Sequence, residues 1–186
     1  MNVLILYLLT IIVPVIDSEP EGLKVGDKAP NFIGTDQMGN EVVLTDVLKE
    51  GKVILTFYRG AWCRYCMKQM NDYQDSLAMI HEKGATLIAI SPEHDKGIQL
   101  TVEKAGVQFS LIHDDNLDIM KDYDVISDEK LEEFRRLSKE TEEDITRKYI
   151  PVPAIYIINE TGIIEFVSFN ANYKERVSVA ELLANL

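Results

Sequence analysis

The uncharged run Val53-Ile54-Leu55-Thr56-Phe57-Tyr58 constrains this chain more than any other segment. Its β-branched and aromatic content suits a central strand buried on both faces. From Cys66 onward, Met67, Met70, Tyr73, Leu77 and Ile80 recur at steps of three and four, with Lys68, Asn71, Asp72 and Asp75 between them. That spacing predicts one amphipathic helix, ending at Lys83-Gly84 with a basic last turn and a glycine. Thr86-Leu87-Ile88-Ala89-Ile90 then reads as a second buried strand closed by Ser91-Pro92. Together these segments form a β-α-β unit, and the only two cysteines, Cys63 and Cys66, fall at its strand-to-helix junction.

The remaining segments fit around this unit. Val25 to Phe32 is an extended lead-in, and Met38-Gly39-Asn40 reads as a turn between Phe32-Ile33 and Glu41-Val42-Val43-Leu44. Helices are expected over Gly97–Ala105 and Asn116–Tyr123, with a strand at Phe109–Ile112 between them. Ser127 to Lys148 is highly charged, with Leu131, Phe134 and Leu137 at helical spacing, which predicts a solvated helical insertion. Ala154–Ile158 and Ile163–Val167 flank Asn159-Glu160-Thr161-Gly162 as a hairpin. A last helix, Ser178–Leu186, opens on Ser178 and Glu181 at capping-box spacing. The expected fold is α/β: a central mixed β-sheet around the Val53, Thr86, Ala154 and Ile163 strands, flanked by helices, with an N-terminal β-hairpin and a helical insertion.

A chain of 186 residues is one domain of ordinary size. Its formal net charge of −12 argues against nucleic acid, since little here would neutralise a phosphate backbone. Residues 1–22 stand apart from the domain at 23–186. Asn2 to Ile16 is an uncharged apolar run followed by the polar stretch Asp17 to Gly22. As a helix it would span about 23 Å against a hydrocarbon core of ~30 Å, which fits the apolar part of a secretory signal better than a full span. No Lys or Arg precedes the run and no small-x-small cleavage site follows it. We read it as a targeting or anchoring segment that gives membrane association and an extracytoplasmic domain. Without that role the domain is cytoplasmic.

Two cysteines three apart on a first helical turn share a face and can bridge. At a helix N-terminus, unpaired N–H groups and the helix dipole favour a thiolate. Arg59 and Arg64 add positive charge that acts in the same direction. Cys63 should be the more exposed sulfur, because Cys66 begins the core-facing stripe. Two other readings of the pair are half of a zinc site and a pair of inert core cysteines. The first lacks further ligands, since His81, His94 and His113 have no H-x-x-x-H spacing. Tyr58 and Arg59 sit at the strand end beside the motif, and Trp62 flanks it. No G-x-x-x-x-G-K-S/T or G-x-G-x-x-G segment is present, so no nucleotide or flavin cofactor is implied.

Trp62-Cys63-x-x-Cys66 after a buried strand, with Pro151-Val152-Pro153-Ala154 before a later one, resembles a thioredoxin-like fold. In that fold a cis proline faces the dithiol, and the resemblance gives that place to Pro153. Val25-Gly26-Asp27-x-Ala29-Pro30-x-Phe32 resembles the entry of the alkyl hydroperoxide reductase/thiol-specific antioxidant family, the peroxiredoxins. Phe57-Tyr58-Arg59-Gly60-x-Trp62-Cys63-x-Tyr65-Cys66 and Tyr173-Lys174-x-Arg176 are similar to a bacterial peroxiredoxin-like subgroup. The resemblance implies a thiol-dependent antioxidant enzyme that reduces hydroperoxides through Cys63 and Cys66, with electrons from a thioredoxin-like donor. Against the family pattern P-x-x-x-T-x-x-C, Arg59 replaces Pro and Cys63 replaces Thr, while Cys66 takes the peroxidatic place. A peroxidase reading therefore makes Cys66 the attacking sulfur, whereas a thioredoxin-like reading makes it Cys63. The alternatives are a reductase of protein disulfides and a non-enzymatic redox-sensing module.

Overall fold

The computed structural model describes residues 19–126 and 149–186. The expected targeting segment (apart from residues 19–22) and the expected insertion helix around Leu131, Phe134 and Leu137 lie outside the described residues. The strands are β1 (Ile33–Thr35), β2 (Glu41–Val43), β3 (Lys52–Phe57), β4 (Ala85–Ser91), β5 (Ser110–His113), β6 (Ala154–Ile158) and β7 (Ile164–Phe169). The helices are α1 (Leu44–Val47), α2 (Arg64–Asp75), α3 (Leu77–Glu82), α4 (Asp95–Ala105), α5 (Asp118–Asp122) and α6 (Val179–Ala184).

Five strands form one mixed sheet in the order β5-β4-β3-β6-β7. β3 is central, parallel to β4 and antiparallel to β6, with Phe57 opposite Ile90 on one side and Ala154 on the other. Alternation along β3 sends Val53, Leu55 and Phe57 to one face and Ile54 and Tyr58 to the other. The first set packs with Ile88, Ile90, Ile112 and Tyr156 beneath α5 and the N-terminal hairpin. The second packs with Met70, Tyr73, Ile80, Ile98 and Leu182 from α2, α3, α4 and α6. The sheet thus has two cores, and the chain leaves the central strand at the reactive junction.

The N-terminal hairpin forms as expected, with Ile33 opposite Val43 and Gly39 at a positive φ of 86°. Asp36 holds the turn by accepting from the Met38 and Asn40 amides, both at 2.9 Å. Leu44, expected to end β2, instead begins α1, where the Asn31 side chain accepts the Thr45 N–H from outside the helix. The single helix expected from Cys66 to Lys83 is broken at Ser76, whose φ of −105° and ψ of 5° separate α2 from α3. Pro153 requires a correction. The described residues contain no cis peptide bond, so the bond before Pro153 is trans. An X–Pro bond favours trans unless a turn demands otherwise. Here the chain runs extended into β6, held by Val152 N–H to Val125 O and Asn170 N–H to Pro153 O.

Candidate active site

Cys63 is the N-cap of α2, and its sulfur accepts the Cys66 amide at 3.3 Å. This is the arrangement that places a sulfur against unpaired helix amides and the positive end of the dipole. The two sulfurs are within bonding reach as a Cys63–Cys66 disulfide, with Cα atoms 5.2 Å apart. Cys63 keeps 4% of its surface and Cys66 none, so the expected order of exposure holds although both are buried. Burial alone would equally suit inert core cysteines. The polar surroundings argue otherwise, because Arg176 Nη2 lies 3.8 Å from Cys66 Sγ.

Arg176 reaches the site from the segment after β7. Its Nη1 donates to Glu175 O at 2.8 Å. Burial holds its pKa below the ordinary guanidinium range, Tyr73 acts in the opposite sense, and Arg59 adds like-charge repulsion. An arginine remains charged through such a shift. Tyr73 is wholly buried beneath it, with burial raising the phenol pKa, and accepts from Gln69 Nε2 at 2.9 Å. Pro153, Gln69 and Arg176 line one shallow pocket with Ser168 and Asn170.

Arg59 Cζ lies over two aromatic rings, 4.8 Å from the Trp62 centroid and 4.2 Å from that of Tyr173. Tyr173 in turn packs edge-on against Tyr65 at 5.8 Å. The segment 170–176 is therefore fastened over the motif by Tyr173 and Arg176. Trp62 is 38% exposed and forms the visible rim. Tyr58 lies deeper: it is fully buried, its hydroxyl is 3.4 Å from Thr101 Oγ1 of α4, and burial raises its pKa.

The loop before Cys63 is held from below by residues that the sequence reading did not select. Glu93, 6% exposed, accepts the Ala61 N–H at 2.6 Å, and Lys104 Nζ donates to Ala61 O at 2.9 Å. Gly60 has φ of +136°, and a Cβ there would run into the Glu93 carboxylate and lie 2.7 Å from Trp62 Nε1. One signal for Glu93 was available: it follows Ser91-Pro92 at the carboxyl end of β4, beside β3, where α/β sheets place their sites. The structure thus brings Cys63, Cys66, Arg59 and Trp62 together, buries Tyr58 at the end of β3 and sets Pro153 in the pocket that Arg176 lines. Among the described residues, no three His, Cys, Asp or Glu side chains converge to hold a metal ion.

A family model described as the AhpC/TSA family matches residues 25–167. The chain belongs to the AhpC/TSA family. Among curated proteins, the thiol-disulfide oxidoreductase ResA of Bacillus cereus is 34% identical over 110 residues, which is 59% of this chain and 62% of that protein. A Mycobacterium tuberculosis protein named provisionally as a peroxiredoxin is 33% identical over 98 residues, 53% of this chain and 62% of that one. The chain therefore spans somewhat under two thirds of the length of these curated relatives. The crystal structure of peroxidoxin BcpB from Mycobacterium tuberculosis superposes with a TM-score of 0.68 at 19% identity, covering 88% of this chain and 96% of that one. Such likeness establishes that this AhpC/TSA member has the thioredoxin-like fold expected from its sequence.

Proposed function

We propose that this chain is a thiol-dependent antioxidant oxidoreductase that reduces hydroperoxides through a Cys63–Cys66 dithiol/disulfide cycle. The observation that carries the reading is a cysteine pair at the N-terminus of α2 with a guanidinium 3.8 Å from one sulfur. A thiolate attacks the outer oxygen of ROOH, the O–O bond breaks, and ROH leaves with a proton. The resulting sulfenic acid is attacked by the second sulfur, which releases water and forms the disulfide. A thioredoxin-like dithiol then returns two electrons. The position of Arg176 favours Cys66 as the attacking sulfur, because the cation steadies its thiolate and the developing charge on oxygen. Arg59 and Trp62 act as supports of the site, with Tyr58 below and Pro153 behind.

A second reading, a thiol–disulfide reductase of proteins, is favoured by Cys63 as helix N-cap beside the exposed Trp62 rim. The apolar run Asn2–Ile16 supports an extracytoplasmic location for a domain beginning near residue 23. Among the described residues no helix is long and apolar enough to cross a membrane.

The test uses purified protein with dithiothreitol and either hydrogen peroxide or cumene hydroperoxide. Peroxide consumption well above the reductant-only rate is expected. A rate at the blank with brisk reduction of insulin disulfides would select the reductase, and inactivity in both assays would select the sensor. Mass spectrometry of Cys63→Ser and Cys66→Ser after one equivalent of peroxide should find sulfenic acid only in Cys63→Ser, which retains Cys66.

A further inference from the structure

Every arginine among the described residues, Arg59, Arg64 and Arg176, lies at the dithiol, and none of them is in an ion pair with another described residue. The ion pairs between described residues are made by Lys24, Lys49, Lys52 and Lys68. In a chain with 31 acidic residues and a net charge of −12, three guanidiniums around one site with no carboxylate partner among the described residues are a local reversal of sign. The acidic neighbours are otherwise engaged. Glu175 accepts from Asn170 Nδ2 at 2.8 Å and Asn172 Nδ2 at 2.7 Å, while Glu93 is buried and accepts from Ala61.

The guanidiniums are also presented for use. Arg59 Cζ lies over both the Trp62 and the Tyr173 rings, and a guanidinium held on aromatic rings keeps its edge N–H groups free to donate. Arg64 lies over the Tyr65 ring at 5.0 Å. Arg176 Nε is buried without a hydrogen-bond partner. A buried donor left unmatched is costly, and a fork of N–H groups fits a carboxylate.

We propose that the dithiol's small-molecule substrate carries a carboxylate close to its reacting S–S or O–O bond, and that Arg59 and Arg176 recognise this charge. This inference rests on the dithiol reading above. For a disulfide RSSR, one protein thiolate attacks a sulfur, the R–S–S–R bond breaks and RS⁻ departs. The second cysteine then displaces the other RS⁻, so that two electrons pass to the substrate and the Cys63–Cys66 bond forms.

The experiment oxidises the reduced full chain with three disulfides of similar skeleton: dianionic 3,3′-dithiodipropionate, neutral 2-hydroxyethyl disulfide and dicationic cystamine. Thiol loss is followed, and each rate is divided by that of the same disulfide with dithiothreitol. The dianion should be favoured over the neutral compound by about tenfold, the discrimination one charge-assisted hydrogen bond gives, with cystamine slowest. Arg59→Gln should shrink the ratio, and Arg59→Lys should retain part of it. Salt supplies a readout that needs no variant. The overall charge repels a dianion, so its rate would rise from about 20 to about 300 mM salt if the whole molecule governed approach. With arginine recognition it falls, while the neutral rate stays flat. Equal normalised rates, a preference for cystamine, or a dianion rate rising with salt would overturn the proposal. Failure of all three disulfides while hydrogen peroxide still oxidises the cysteines would also overturn the proposal, whereas failure of peroxide as well would remove the dithiol reading itself.

Discussion

A guanidinium 3.8 Å from a sulfur acts on that sulfur when it carries charge. Replacing Arg176 by Met in a Cys63→Ser background should raise the Cys66 thiol pKa by about one unit or more, read from the pH dependence of iodoacetamide alkylation. An unchanged profile would show that the cation does not act on the thiolate. Gly60 marks a different residue-scale constraint, since its φ of +136° and the Glu93 carboxylate leave no place for a Cβ. Gly60→Ala should cost about 2–3 kcal/mol in urea unfolding, from backbone strain and the displaced carboxylate. The cysteine pair was legible in the sequence because spacing along one helix turn is local information. Glu93 carried only the signal of its place at the carboxyl end of β4, and the meeting of Arg176 with Cys66 was not legible, because it joins segments 110 residues apart that only the assembled sheet brings together.

Elements repeat this division between local and assembled information. The stripe Cys66, Met70, Tyr73, Leu77 and Ile80 keeps its phase through Ser76, so periodicity could not reveal the break between α2 and α3. Leu44 had the apolar character of a strand residue, and the helix start there draws on distant groups, with Phe32 O accepting from Leu44 N–H and Asn31 Oδ1 from Thr45 N–H. The strands around the reactive junction, by contrast, were readable almost to their ends. A carboxylate at one element boundary gives a further expectation. Asp114, 4% exposed, accepts the Met120 and Ile119 amides of α5 at 2.8 and 3.3 Å. Burial, opposed by those amides, raises its pKa from 3.8 to about 6. The folded chain therefore holds this proton more tightly than the unfolded one. That contribution to stability is fully present below about pH 4 and is lost as pH rises through about 6. Asp114→Asn cannot ionise, so it should gain roughly 2–3 kcal/mol relative to wild type on going from pH 4 to pH 7, measured by urea midpoints. Parallel pH profiles would show that Asp114 does not titrate in this window.

At the scale of the whole molecule, two cores clamp β3 from opposite faces while 31 acidic residues face 19 basic ones along the chain. Self-repulsion of that excess should make the melting temperature rise as salt is increased from about 20 to about 300 mM, in a thermal scan of the reduced protein. A flat response would mean that the charges are already locally compensated. The contact between Arg176 and Cys66 joins positions 110 residues apart. A ribosome adding about 5–20 residues per second makes the sulfur some 5–20 seconds before it makes the cation. During that interval the β3-α2-β4 unit can already take shape, yet its cysteines lack part of their activation. On the proposed chemistry, a nascent chain that has not yet reached Arg176 holds its cysteine pair without the cation that activates it.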